Sequence, residues 1–212
     1  MKKIHSLVLL VLCTAVHAFA QGERTDMRET LHFGLKAGVN YSNVYDSQGE
    51  YFQANPKFGA VAGAFLSIPI NKYIGIQPEV LFSQKGFKTS GEVLTGNYGL
   101  IRTTNFIDVP LLFALKPSAF FTLLAGPQYS FLIRQTDVYS DGTSSTVRDQ
   151  VFENKNLRRN ILGFTGGFDV NVQHFVIGLR ACWDIQNNSG DGSSTAIRYK
   201  NVWYQANFAI RF

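Results

Sequence analysis

The chain has 212 residues, of which 45% are hydrophobic, 14% aromatic and 17% charged, with 19 Gly and 18 Phe against 2 Met. This is the make-up of one folded domain rather than a disordered or fibrous chain, and its aromatic and glycine content favours strands over helices. A formal charge of +5, with no basic run longer than Arg158-Arg159, excludes a nucleic-acid footprint; two cysteines, one of them in the leader described next, exclude an internal disulfide framework and a multi-Cys zinc site.

The first twenty residues read as a cleaved signal peptide. Lys2 and Lys3 form a basic start, Leu7 to Cys13 an apolar run, and Ala18-Phe19-Ala20 the small-x-small pattern before a mature start at Gln21. The run is too short to span a bilayer as a helix, which needs about 20 residues. Leu10-Val11-Leu12 puts a bulky residue where a lipoprotein cysteine at Cys13 would need a small one. Removing the leader takes away two lysines and no acid, so the formal charge falls from +5 to +3. Residues 21–30 form a short periplasmic segment and 31–212 the folded domain.

From there the chain alternates at period two, the strand pattern. Phe33, Leu35, Ala37, Val39 and Tyr41 share one face against His32, Gly34, Lys36, Gly38 and Asn40. Phe58–Ile70 is small-residue rich. Ile74, Ile76, Pro78, Val80 and Phe82 oppose Gly75, Gln77, Glu79, Leu81 and Ser83. Phe106–Leu115 alternates around Ile107, Val109, Leu111 and Phe113, with Asp108 opposite. Phe121 to Ile133 opposes Thr122, Gly126, Gln128, Ser130 and Arg134. Leu162, Phe164, Phe168 and Val170 oppose Thr165 and Asp169; Phe175, Ile177, Leu179 and Trp183 oppose Val176, Arg180, Cys182 and Asp184. The last segment sets Val202, Tyr204, Ala206, Phe208, Ile210 and Phe212 against Trp203, Gln205, Asn207, Ala209 and Arg211. Eight strands result.

Short turns at Asn71-Lys72, Lys116-Pro117-Ser118 and Gln173-His174 alternate strictly with long polar loops at Ser42–Lys57, Gly86–Gly99, Gln135–Arg158 and Asn187–Tyr199. Short periplasmic turns, long external loops and an even strand number predict an all-β, eight-stranded antiparallel up-and-down transmembrane barrel in a Gram-negative outer membrane. A closed barrel can live in lipid because it pairs every backbone group. The first and last segments, Phe33–Tyr41 and Val202–Phe212, are expected to pair and close it.

Alternation alone fits a soluble ligand-binding barrel with the faces exchanged. Three features favour lipid outside. The polar face is mostly Gly, Asn, Gln, Ser and Thr, which suit the cramped interior of a small barrel. The apolar face runs for about 9–11 residues per strand, the length a tilted strand needs to cross hydrocarbon. Tyr41, Tyr73, Tyr129, Tyr199, Tyr204 and Phe212 sit near segment ends, where an aromatic girdle belongs.

Three stretches, Phe33-Gly34-Leu35-Lys36-Ala37-Gly38-Val39-Asn40-Tyr41-Ser42, Gly75-Ile76-Gln77-Pro78-Glu79-Val80-Leu81-Phe82-Ser83-Gln84-Lys85-Gly86 and Phe106-Ile107-Asp108-Val109-Pro110-Leu111-Leu112, carry a family resemblance. With Gly126-Pro127 and Gly163 to Asp169, they resemble the PorT-like outer-membrane β-barrels common in Bacteroidetes, across nearly the whole mature chain. The resemblance implies a small outer-membrane barrel; its name-giving member belongs to type IX secretion, but the matching residues are structural and imply no active site.

On the inward face lie Lys36, Lys85, Arg134, Arg180 and Arg211 beside Glu79, Asp108, Asp169 and Asp184. Five bases and four acids in a narrow lumen predict a network of ion pairs and hydrogen bonds that plugs the barrel, since an unpaired buried charge costs several kcal/mol. The alternative is a narrow conductive path. The terminal Phe212, on an amphipathic last strand, resembles the signal read by the barrel assembly machinery.

Enzymatic patterns are missing: the mature chain has two histidines, His32 and His174, and neither G-x-S-x-G nor H-E-x-x-H occurs. Asp137, Asp141 and Asp149 do not have the spacing of a calcium loop. No catalytic set, metal or cofactor is read from the sequence. Cys182 reads as a small buried filler. The third long loop carries Arg134, Arg148, Lys155, Arg158 and Arg159 within it or at its edges, and some of these suit lipopolysaccharide phosphates. The expected partners are outer-membrane lipid, lipopolysaccharide, the assembly machinery and an envelope or secretion-system protein, without nucleic acid.

Overall fold

The computed structural model describes residues 26–46, 54–93, 96–140, 145–149, 157–188 and 198–212. Among the described residues there are nine strands: β1 (His32–Asp46), β2 (Asn55–Pro69), β3 (Ile74–Val93), β4 (Gly96–Leu115), β5 (Phe121–Ser140), β6 (Ser145–Asp149), β7 (Asn160–Val172), β8 (Phe175–Asp184) and β9 (Tyr199–Arg211). Eight of them make a closed antiparallel meander, in which β5 pairs with β7 and β9 returns to β1. The seam runs from Gly34↔Arg211 to Asp46↔Tyr199, so the first and last segments close the cylinder as expected. β6 lies outside this ring and pairs with the upper half of β5, from Thr136↔Asp149 to Ser140↔Ser145.

The tight turns follow local chemistry. Asn71 Oδ1 accepts hydrogen bonds from the amides of Tyr73 and Ile74 at 2.8 and 2.9 Å, closing an Asx-type turn between β2 and β3. Gln173, at φ 53°, turns β7 into β8.

Alternation sorts the side chains as a pleated strand requires. Leu35, Val80, Leu111, Leu179 and Phe208 are exposed on the outside, while Lys36, Glu79, Asp108, Arg180 and Asn207 are buried inside. On the outer face aromatics meet across strands: Phe175 and Phe208 stack at 5.6 Å, Phe121 and Phe168 at 5.6 Å, and Phe164 lies 5.2 Å from Trp183.

The barrel is taller on one side than its sequence pattern suggests. The stretch Gly86–Gly99, expected as a loop, continues the β3–β4 ladder from Gly86↔Thr103 up to Val93↔Gly96. β5 likewise runs on to Ser140 within what read as the third loop. Polar, Gly-containing composition signals exposure to water, but a hairpin above the membrane is also exposed to water. Tyr199, expected in the outer girdle, is instead 3% exposed and packs edge-on against Phe87 inside the upper barrel at 5.3 Å. Tyr41, Tyr73, Tyr129 and Tyr204 are exposed. The leader, with Cys13, and residues 21–25 lie outside the described residues.

Candidate functional site: the barrel lumen and its mouths

The inward positions of eight strands converge on one axis, so every lumen side chain faces others across a short distance. Three of the expected bases meet three of the acids, each in its own pair. Lys36 on β1 donates to Glu79 on β3 at 2.6 Å, and Gln77 Nε2 donates to the same carboxylate oxygen at 2.8 Å. Arg180 on β8 holds Asp169 on β7, with Nη1 2.8 Å from Oδ1. Lys85 on β3 donates to Asp108 on β4 at 3.0 Å and to Ser130 on β5 at 3.3 Å. All six side chains are 7% exposed or less. Burial at this depth makes pairing obligatory, because a lone charge there would lose its hydration with nothing in exchange.

Aromatic faces complete the setting. The Lys85 ammonium lies 3.7 Å from the Trp203 ring centre and 4.5 Å from that of Phe106, and Lys36 lies 5.2 Å from Phe65. A ring face carries negative charge density, so each ring shares in holding the cation. Uncharged polar groups fill the levels between: Asn40 donates to Ser83 at 2.9 Å, and Thr165 to Gln128 at 2.6 Å. These residues carried no charge signal in the sequence; only their phase on each strand pointed to them.

The remaining expected lumen residues behave differently. Among the described residues Asp184 forms no ion pair; it accepts from the Asn201 amide and side chain. Arg211 sits at the periplasmic mouth and donates to the Gln173 carbonyl at 2.8 Å and to Asn171 at 3.4 Å.

Arg134 corrects the expectation, because it is exposed and not inside. Asn105 pairs with Arg134 while Phe106 pairs with Leu132, so Ile133 is an extra residue in β5. This bulge moves every later side chain to the other face. Leu132 and Gln135 are buried, and Ile133 and Arg134 face out.

The same bulge turns Asp137 inward, where it is fully buried and receives two hydrogen bonds of 2.7 Å from Arg102 on β4. Arg102 also donates to Tyr199 Oη at 3.4 Å. Asp137 is therefore neither a solvated loop acid nor open to a cation. Asp141 and the side chains of Arg148, Asp149 and Lys155 lie outside the described residues. Among the described residues no group of three His, Cys, Asp or Glu is placed to hold a metal. Cys182 is a buried free thiol.

At the periplasmic end, residues Asp26–Leu31 fold across the mouth. Thr30 Oγ1 hydrogen-bonds the His32 ring, which also contacts the main-chain oxygens of Met27 at 3.1 Å and Phe212 at 3.2 Å. Arg28 and Lys116 exchange contacts: Lys116 Nζ donates to the Arg28 carbonyl at 3.1 Å, and Arg28 Nη1 to the Lys116 carbonyl at 3.4 Å. Arg28 also clamps Asp26 with side-chain hydrogen bonds of 2.8 and 2.7 Å. That clamp holds the Asp26 carboxyl well below its ordinary value of 3.8. The Phe212 amide donates to the Phe33 carbonyl at 2.7 Å, so the last residue is hydrogen-bonded to the first strand.

A closed, eight-stranded antiparallel cylinder with a continuous apolar exterior and ion pairs within has the architecture of a transmembrane β-barrel. The sequence agrees: residues 19–190 match the model of the outer membrane protein beta-barrel domain family, and the chain belongs to that family. Among solved structures it is similar to Ail, the attachment invasion locus protein of Yersinia pestis, at 14% identity and TM-score 0.48, over 85% of this chain and 98% of that one. It is also similar to Neisserial surface protein A at 12% identity and TM-score 0.49, over 85% and 97% of the two chains. A third is the outer membrane protein OprG of Pseudomonas aeruginosa, at 11% identity and TM-score 0.39, over 89% and 99%. No curated protein matches the sequence.

Proposed function

We propose that this outer-membrane barrel is a non-enzymatic structural or interaction component of the envelope, with its lumen closed to solutes and its binding carried by the external loops. The observation that carries the reading is the set of three buried ion pairs, Lys36–Glu79, Arg180–Asp169 and Lys85–Asp108, which link neighbouring or next-but-one strands inside the lumen. Phe65, Phe106 and Trp203 add bulk between them. Barrels of eight strands have interiors that side chains just fill, whereas porins use about 16–18 strands to leave a channel. Planar-bilayer recording of the purified barrel tests this. No conductance steps above the bare membrane are expected; reproducible steps would replace the reading with a small-solute or ion-conducting barrel.

Supporting a loop-borne role, the barrel presents a β3–β4 hairpin and the β5–β6 hairpin beyond the closed ring. Arg158 and Arg159 stand at the base of that region, and the Arg159 guanidinium lies over the Phe131 ring at 5.2 Å. Their chemistry suits lipopolysaccharide phosphates. Neutralising both is expected to lower lipid A retention in native mass spectrometry, and unchanged retention would discard that part of the proposal. The resemblance of the strand motifs to PorT-like barrels makes a protein partner in a Bacteroidetes envelope, including the secretion apparatus, the class to seek. Recognition of Phe212 by the assembly machinery belongs to the same reading, as does export by a cleaved leader.

A further inference from the structure

Three ion pairs hold six charged groups in the depth of the lumen, whereas bases outnumber acids in the lining of the periplasmic mouth. A cavity of about 20 Å³ lies there, between the Asp26–Leu31 strap and the lowest ion pairs. Its lining includes Lys116, Arg211, Arg28 and His32, with Phe65 and Val176. Lys116 is 5% exposed, and its ammonium donates to a backbone carbonyl; no carboxylate pairs with it among the described residues. Arg211 likewise donates to a carbonyl and an amide oxygen. Arg28 is already neutralised by Asp26. Asp169 also lines the cavity, but Arg180 holds it at 2.8 Å. Among the lining residues, Asp169 is the one carboxylate for Lys116 and Arg211, and Arg180 already claims it.

A buried ammonium without an anion is costly, and the protein avoids that cost at each of its deep lumen pairs. We infer that the periplasmic mouth is a binding site for an oxyanion, a carboxylate or phosphate group held between Lys116 and Arg211. The cavity's volume has room for about one water molecule, so it takes the oxygen edge of such a group rather than a whole small molecule. Arg211 offers a planar fork suited to that edge, and Lys116 a compact point charge. Burial, followed by the neighbouring Arg211 and Arg28 charges, pushes the Lys116 ammonium below its ordinary value of 10.5, and a nearby anion acts in the opposite direction.

The test uses the refolded, isotope-labelled barrel in detergent, titrated with acetate or inorganic phosphate at constant ionic strength while side-chain resonances of Arg211 and Lys116 are followed by NMR. Saturable shifts of both residues with one shared dissociation constant are expected, and Lys116→Met or Arg211→Gln should weaken binding by about tenfold or more. Shifts that rise linearly and equally with chloride are screening only, and would overturn the site. Binding unchanged in a folded Lys116→Met barrel would overturn it too; if that variant fails to fold, Arg211→Gln and the wild-type titration decide alone. Nanodiscs with and without phosphatidylglycerol separate the sources. A lipid headgroup shifts the same resonances before any anion is added, and a free periplasmic anion does not depend on the lipid.

Discussion

At Lys85 the side chain is fully buried, yet its ammonium touches Asp108, Ser130 and the faces of Trp203 and Phe106. Removing one member of such a pair strands the other in a medium that cannot solvate it, at a cost of about 3–5 kcal/mol. Lys85→Met should therefore lower unfolding stability in urea and detergent by that amount. Adding Asp108→Leu should recover most of it, since replacing a whole buried pair with apolar groups is near neutral. A double variant as unstable as the single one would show that the pair is not the coupled unit described. The clamp of Arg28 on Asp26 behaves in the opposite solvent setting. Because the folded carboxyl is held below its ordinary value, its contribution is present above the ordinary carboxylate range and is lost as pH falls through the depressed value. The strap over the mouth should stay docked at neutral pH and loosen only in strong acid, as amide exchange of Met27 to Thr30 would report.

At the scale of a strand, one rule decides the effect of a substitution: which side of the pleat carries it. Leu179 is exposed on the outer face of β8, and Asn207 is buried on the inner face of β9. Leu179→Arg should hinder folding into bilayers by about 2–4 kcal/mol near the midplane, whereas Asn207→Ser should be much milder. Equal tolerance, measured by folding into vesicles, would contradict the orientation. The rule holds only while the register is unbroken. In β5 the extra residue Ile133 reverses it, and so Arg134 faces out while Asp137 reaches Arg102. Nothing in the order of residues from Phe121 to Ser140 marks that insertion, because a bulge is defined by the partner strand's spacing.

For the whole molecule, closure is the property on which membrane residence depends, since an open edge in lipid would leave a row of unpaired backbone groups. The β1–β9 seam is tight: a Cβ on Gly38 would meet the Ala206 carbonyl oxygen and the Asn207 backbone. Gly99, on the upper β3–β4 hairpin, has open space at the same position. Gly38→Val should reduce the fraction of chain that reaches the compact, heat-modifiable form on an unheated gel, while Gly99→Val should leave it unchanged. Equal yields would mean that the seam tolerates separation.

Period-two alternation from Phe33 to Phe212, with turns and polar stretches in strict rotation, was enough to specify an eight-stranded barrel, its greasy exterior and the inward residues Lys36, Glu79, Lys85, Asp108, Asp169, Arg180 and Asp184. These follow because pleating links neighbouring side chains to opposite faces by geometry alone. Which base meets which acid depended on register and strand stagger, quantities set by the ring as a whole. So did the inward turn of Tyr199, the Arg102–Asp137 pair and the gathering of Lys116, Arg211 and Arg28 around one mouth. Residues far apart in the chain acquire a shared environment only when the cylinder closes, and tertiary structure alone supplies that condition.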